Sequence, residues 1–188
     1  MRAIIAHGSY GSPDENWIPW LKKELEELGW EVFTPKFPTP KGQNLKNWLK
    51  AFKPYSQHLE PETILIGHSL APAFLLTVIE KSKKPILASF LVSGFIGKLG
   101  LPTFDPINRT FAEREFNWKK IKRNCKKFVV FYSDNDPVVP ATKTFELANN
   151  LEAEKVFVKS AGHFNSKAGY LRFPLLLEKI KALSAQVS

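Results

Sequence analysis

Ser69 stands in Gly67-His68-Ser69-Leu70-Ala71, between the apolar run Thr63-Ile64-Leu65-Ile66 and a second apolar segment reaching Leu76. The local structure expected is a strand, a tight corner and a helix, with the serine at the corner. There its hydroxyl stands clear of the sheet, and the free amides opening the helix are placed to receive negative charge. That layout suits acyl transfer through a serine nucleophile. The pattern departs from G-x-S-x-G only at its last position, where Ala71 keeps the side chain small. An N-cap role for Ser69 is the other reading of the same residues.

A serine nucleophile needs a base, and the base needs an acid to orient it; on this kind of scaffold they follow in the order serine, acid, histidine. After Ser69 the aspartates are Asp105, Asp134 and Asp136, the last two in the turn that ends the apolar run Phe128 to Tyr132. A further strand over Lys155 to Lys159 leads into Ser160-Ala161-Gly162-His163-Phe164. In an open parallel sheet all strand ends lie on one rim, so Ser69, Asp136 and His163 are expected to meet there. His163 would take the Ser69 proton, and Asp136 would hold the ring in the right tautomer. Asp136 is preferred to Asp134 because it stands directly before Pro137-Val138-Val139-Pro140, further round the turn. Of the other histidines, His7 follows the first strand, His58 lies in a polar stretch, and the side chain of His68 is expected to point to the opposite side of the corner.

Donors for the developing oxyanion are sought in the loop after the first strand, His7-Gly8-Ser9-Tyr10-Gly11-Ser12. The backbone N–H of Ser9, or that of Tyr10, is expected to form the hole together with that of Leu70. A phosphate loop is the poorer reading, since neither G-x-x-x-x-G-K-[ST] nor G-x-G-x-x-G occurs.

These elements resemble the small single-domain α/β-hydrolases related to the human retinoblastoma-binding serine hydrolase. The likeness covers most of the chain, through His7-Gly8 with Asn16-Trp17-Ile18-Pro19-Trp20-Leu21, Gly67 to Leu70, Leu91 to Phe95, Asp134 to Pro140 and Gly162-His163-Phe164. It implies a Ser-Asp-His triad on Ser69, Asp136 and His163, a compact parallel sheet and no cofactor. A retinoblastoma-type partner is not implied, because the L-x-C-x-E element is missing. Around the sole cysteine, Cys125, Arg123 and Lys127 stand where leucine and glutamate would be needed.

Strands and helices alternate without repeat or linker, giving the expectation of one α/β domain over 1–188, a doubly wound, mainly parallel sheet of about six strands flanked by helices. A chain of 188 residues is long enough to bury about 70% of its unfolded surface. Asn16 is expected to cap a helix with Trp17, Leu21, Leu25 and Leu28 inward. Asn44 is expected to cap another with Leu45, Trp48, Leu49 and Phe52 on one face. The segment 94–117 is expected to be an irregular cap over Ser69, with Phe95, Leu99 and Phe104, together with Tyr10, lining a pocket for a small-molecule acyl substrate.

Composition narrows the remaining classes. A first strand from Arg2 leaves no room for a signal peptide, and no apolar run reaches membrane-spanning length, so a cytoplasmic protein without membrane contact is expected. One cysteine and scattered histidines give no metal-ligand spacing, so no metal is expected. The net charge of +9 is densest at Lys119 to Lys127. Helical spacing of Trp118, Ile121 and Cys125 turns an apolar face inward there, leaving a solvated basic face rather than a nucleic-acid site. A catalytically silent scaffold, and less favourably a nucleic-acid binder, are the alternatives to an enzyme.

Overall fold

A computed structural model describes residues 1–185. The elements follow one another as β1 (Arg2–Ala6), α1 (Ile18–Glu27), β2 (Glu31–Phe33), α2 (Leu45–Phe52), β3 (Thr63–His68), α3 (Ala71–Lys81) and β4 (Ile86–Val92), then α4 (Asp105–Ala112), α5 (Trp118–Arg123), β5 (Cys125–Tyr132), α6 (Ala141–Leu151), β6 (Glu154–Phe157) and α7 (Pro174–Ser184). All six strands join one parallel sheet in the order β2-β1-β3-β4-β5-β6. The chain steps outward from β1 to β2, then returns past β1 to lay down β3. The strand order therefore reverses between β1 and β3, the place where open α/β sheets bind ligands beyond their carboxyl ends.

Side chains alternate across the sheet with period two. Ile4, Ala6, Leu65, Leu91 and Val130 face one core, which α3, Trp48 of α2, Phe111 of α4, Ile121 of α5 and Leu147 of α6 cover. Ala3, Ile5, Ile64, Ile66, Phe90 and Phe131 face the other, covered by α1 and by Leu176, Ile180 and Leu183 of α7. With both faces covered, every residue of β3 and β4 is buried, which explains their near-continuous apolar sequence. The nine residues Ala71 to Ile79 of α3 are also all buried. Each large apolar side chain there contributes roughly 1.5–3 kcal/mol.

Several expectations about elements need correction. Asn16 does not cap α1: its backbone is left-handed (φ 55°), and its side chain instead accepts the amide of Ser166 at 2.8 Å. Leu28 falls beyond the end of α1 and is 47% exposed. Asn44 does cap α2, accepting the amide of Asn47 at 2.9 Å. The basic run is not one helix. It ends α5 at Arg123 and starts β5 at Cys125, and within it Lys122 and Lys127 pair with Glu152 and Glu154. Trp118 and Ile121 nonetheless pack inward.

The segment 94–117 is built rather than irregular. Amides of Leu99, Gly100 and Leu101 converge on the carboxylate of Asp105 at 2.9, 2.9 and 3.1 Å, and α4 follows. Arg114 then binds Thr77 and Glu80 of α3 at 3.0–3.1 Å. Phe95 is consequently buried in the core under α3, and Leu99 packs against that same core. Neither lines the cleft beside Ser69, because the core takes up their side chains.

Candidate active site

The corner after β3 holds Ser69 at φ 61°, a left-handed backbone that costs a non-glycine residue about 1–3 kcal/mol. Local packing fixes it there. The Ser69 amide donates to Val92 O at 2.9 Å, extending the β3–β4 ladder by one bond. Gly67 admits the start of α3: a Cβ on it would lie 2.8 Å from Leu75 Cδ1 and 3.0 Å from Pro72 N. That is the tight crossing at this corner, and Ala71 sits buried just beyond it.

Three of the residues expected to meet do meet. Ser69 Oγ lies 3.0 Å from His163 Nε2, and His163 Nδ1 lies 2.9 and 3.1 Å from the two oxygens of Asp136. A carboxylate only accepts, so the ring proton sits on Nδ1 and Nε2 is the acceptor for the serine hydroxyl. Asp136 also accepts the amides of Val138 and Val139 at 2.8 and 2.9 Å and the Ser93 hydroxyl at 2.8 Å. Burial raises its pKa, but the bond and charge of His163 with the two amides outweigh that, and the group is held below the ordinary aspartate value.

The loop carrying His163 has left-handed residues at Ser160, Gly162 and Phe164 and is held from two sides. The turn after β5 takes its amides: Asp134 binds that of Ser160, Ser133 that of Ala161 and Asn135 that of Gly162, at 2.7–2.9 Å. The opposite side takes its carbonyls. His68 Nε2 donates to His163 O at 2.8 Å, and Trp17 Nε1 to Phe164 O at 3.0 Å. Asp134 is thus a turn residue, as expected, with a structural task of its own.

His68, expected to point to the opposite side of the corner, lies on the α1/α7 face against Trp17, and from there its ring reaches the loop that carries His163. Its ring centroid is 4.9 Å from that of His163. Strand alternation carries the missed signal, since Ile64 and Ile66 face the α1/α7 side and His68 is next in phase. Ser93, Ser133 and Asn135 carry no such sequence signal, because their bonds run to loops distant in sequence. Burial, reinforced by the nearby His163, pushes the His68 pKa down to about 3. Its folded pKa lies below the unfolded value near 6.5, so between those values the unfolded chain binds the proton and the fold does not. Thermal stability is therefore expected to fall as pH drops from about 6.5 toward 3, with a slope of up to about 1.4 kcal/mol per pH unit. Melting curves over this range should show a shallower slope for His68→Gln; an unchanged slope would refute the assignment.

Gly8 brings the first loop against the serine. A Cβ there would lie 2.8 Å from Ser69 Cβ and 3.0 Å from His68 O. His7 anchors this loop as a neutral ring, donating from Nδ1 to Gly8 O and accepting the Phe37 amide at Nε2, with burial lowering its pKa. The Ser9 hydroxyl binds Asn108 of α4 at 2.6 Å and accepts from Gln43 at 2.8 Å. The Tyr10 amide is engaged by Thr39 Oγ1 at 2.7 Å, whereas the Ser9 and Leu70 amides have no partner among the described residues. Between the Tyr10 and Ser9 amides, Ser9 is the one free to donate.

Ser69 opens into a cleft of about 610 Å³. Of the expected lining, Tyr10 and Phe104 are present, their rings in edge contact at 5.6 Å, and Phe95 and Leu99 are not. The walls are more polar than expected, with Glu15, Asn16, Asn135, Asn165 and Lys167 beside Val138. Among the described residues no cluster of His, Cys, Asp or Glu could hold a metal ion, and no helix is long and apolar enough to cross a membrane.

A serine on a strained corner within bonding distance of a histidine narrows the comparison, and residues 3–182 match the model of the family described as serine hydrolase. The chain belongs to the serine hydrolase family. It is 31% identical over 179 residues to the protein YdeN of Bacillus subtilis (strain 168), covering 94% of this chain and 93% of YdeN. It is 29% identical over 170 residues to the serine hydrolase RBBP9 of Rattus norvegicus, covering 88% of each. The crystal structure of the B. subtilis ydeN product superposes with a TM-score of 0.91 at 28% identity, covering 98% of both chains. Est1E from Butyrivibrio proteoclasticus, with ferulic acid bound, shares the fold at TM-score 0.75 and 18% identity, covering 98% of this chain and 88% of that one. This serine hydrolase thus has the α/β-hydrolase fold expected of it and is an enzyme of that class.

Proposed function

We propose that this hydrolase cleaves a small acyl ester, thioester or amide, with Ser69 as nucleophile, His163 as base and Asp136 as orienting acid. The observation that carries the reading is the continuous hydrogen-bonded chain Ser69–His163–Asp136, whose Ser69 and His163 line an open cleft. Ser69 Oγ attacks the substrate carbonyl carbon while its proton passes to His163 Nε2. Negative charge collects on the carbonyl oxygen, toward the free amides of Ser9 and Leu70, and each such donor is worth about 10²–10³ in rate. The bond to the leaving group then breaks as His163 returns the proton to it, giving an acyl-Ser69 ester. Water, deprotonated by the same ring, repeats the cycle and frees the acid.

Asp136 supports this role by staying ionised, so that the imidazolium formed in the transition state meets a fixed negative charge. His68 supports it by staying neutral, since a second positive ring 4.9 Å away would oppose that imidazolium. The test is intact-protein mass after treatment with a fluorophosphonate, run beside Ser69→Ala. A single adduct on the parent chain and none on the variant is expected. An adduct that persists in Ser69→Ala, or none on folded parent protein, would overturn the assignment.

A further inference from the structure

The two walls of the cleft come from opposite faces of the sheet, and they differ in chemistry. One wall holds Tyr10, Phe104, Pro137 and Val138, with Asn135 beside them holding Gly162 N through its side-chain oxygen; Val138 packs onto the core under α3, and Phe104 belongs to the segment laid over it. The other holds Glu15, Asn16, Asn165 and Lys167, from the loop entering α1 and the 3-10 turn Ser166–Ala168, whose chain neighbours Trp17, Phe164 and Tyr170 belong to the α1/α7 core. The bond from Ser166 N to Asn16 Oδ1 joins these two segments into one polar surface. Within it Glu15 and Lys167 are exposed and make no ion pair among the described residues.

Chemistry then assigns the walls, if Ser69 and His163 act as proposed above. The leaving group must receive its proton from His163 Nε2, so it departs on the side of the His163 loop, whose next residues form the polar wall. The acyl group, held at the carbonyl carbon by Ser69 and at the oxyanion by the Ser9 and Leu70 amides, extends the other way. We propose that the natural substrate joins a short apolar acyl group, seated against Tyr10, Phe104 and Val138, to a polar leaving group with further hydrogen-bonding atoms, read by Glu15 and Lys167. In the balanced reaction the acyl carbon–heteroatom bond breaks, the leaving alcohol or amine takes the former serine proton, and water supplies the hydroxyl of the acid product. The reactions that provide the substrate are therefore acylations of a hydrophilic alcohol or amine.

The test compares kcat/KM for glyceryl monobutyrate and propyl butyrate, which share an acyl group, and for propyl acetate and propyl hexanoate, which share a leaving group. The glyceryl ester is expected to be preferred by about tenfold or more, the worth of one hydrogen bond to a charged side chain. The double variant Glu15→Gln, Lys167→Met should reduce that ratio while keeping the hexanoate-to-acetate ratio. Phe104→Ala should change the chain-length ratio and keep the leaving-group ratio. Melting curves check that each variant is folded. Equal rates on the two butyrates, or a preference that survives the double variant, would overturn the partition. If no ester is turned over and the fluorophosphonate leaves Ser69 unlabelled, the assignment of Ser69 falls first and takes the partition with it.

Discussion

Replacing His163 by alanine is expected to lower kcat on an activated ester by about 10⁴–10⁶-fold, the loss seen when a base that works as a unit with its serine is removed. Without the ring, nothing within bonding distance of Ser69 Oγ takes its proton, since His163 Nε2 is its hydrogen-bond partner in the described structure. Fluorophosphonate labelling should fail for the same reason. Stability should change little. The main-chain bonds of the loop, to Ser133, Asp134, Asn135, His68 and Trp17, do not involve the His163 side chain. Asp136 also keeps its bonds from Ser93, Val138 and Val139, so its carboxylate is not left without partners. The cost is about 1–2 kcal/mol, a Tm shift of roughly 2–8 °C. Steady-state kinetics with a melting curve decides the matter. Activity within tenfold of the parent would remove His163 from the mechanism, and collapse of the fold would show that its task is structural.

The reason these residues could be found in sequence is that each is tied to the end of a strand. An apolar run that stops at Gly67-His68-Ser69, another that stops at Ser133 to Asp136 and a third that leads to His163 must share a rim once the sheet is parallel. The observed register places them so, with His68 opposite Val92 and Tyr132 opposite Phe157. What depends on side-chain direction over long separations was not legible in the same way. Hydrophobicity alone does not separate a phenylalanine that lines a pocket from one that seats a helix. Phe95 and Phe104 look alike in sequence, and only the turn gathered around Asp105 sends one into the core and the other to the cleft. Asn16 shows the same limit: its type suggests a cap, yet its oxygen is spent 150 positions away on Ser166.

Asp136→Asn is expected to lower kcat by about 10⁴-fold with the fold retained, and the neighbours of the carboxylate explain why the amide has only one useful orientation. Asp136 Oδ1 accepts two backbone amides, those of Val138 and Val139, which cannot turn away. The asparagine must leave its oxygen there and place its NH₂ where Oδ2 was, facing Ser93 Oγ and His163 Nδ1. The Ser93 hydroxyl can rotate to accept. His163 Nδ1–H, although also 3.1 Å from Oδ1, would then face the NH₂ donor at the closer position; moving the ring proton to Nε2 relieves that, and a protonated Nε2 no longer takes the Ser69 proton. The same substitution alters the acid limb of stability, and the sign is fixed by direction. The folded pKa of Asp136 lies below its unfolded value, so its stabilisation is complete above about pH 4 and is lost as pH falls through the folded pKa. The asparagine variant should thus lose less stability than the parent on going from pH 4 to pH 2, while His68 and His7, both depressed by burial, contribute the decline below pH 6.5 in both. Kinetics at neutral pH together with melting curves across this range test the two halves separately. Near-normal kcat would mean that His163 needs no tautomer control, and an unchanged acid limb would mean that Asp136 is not held as an anion.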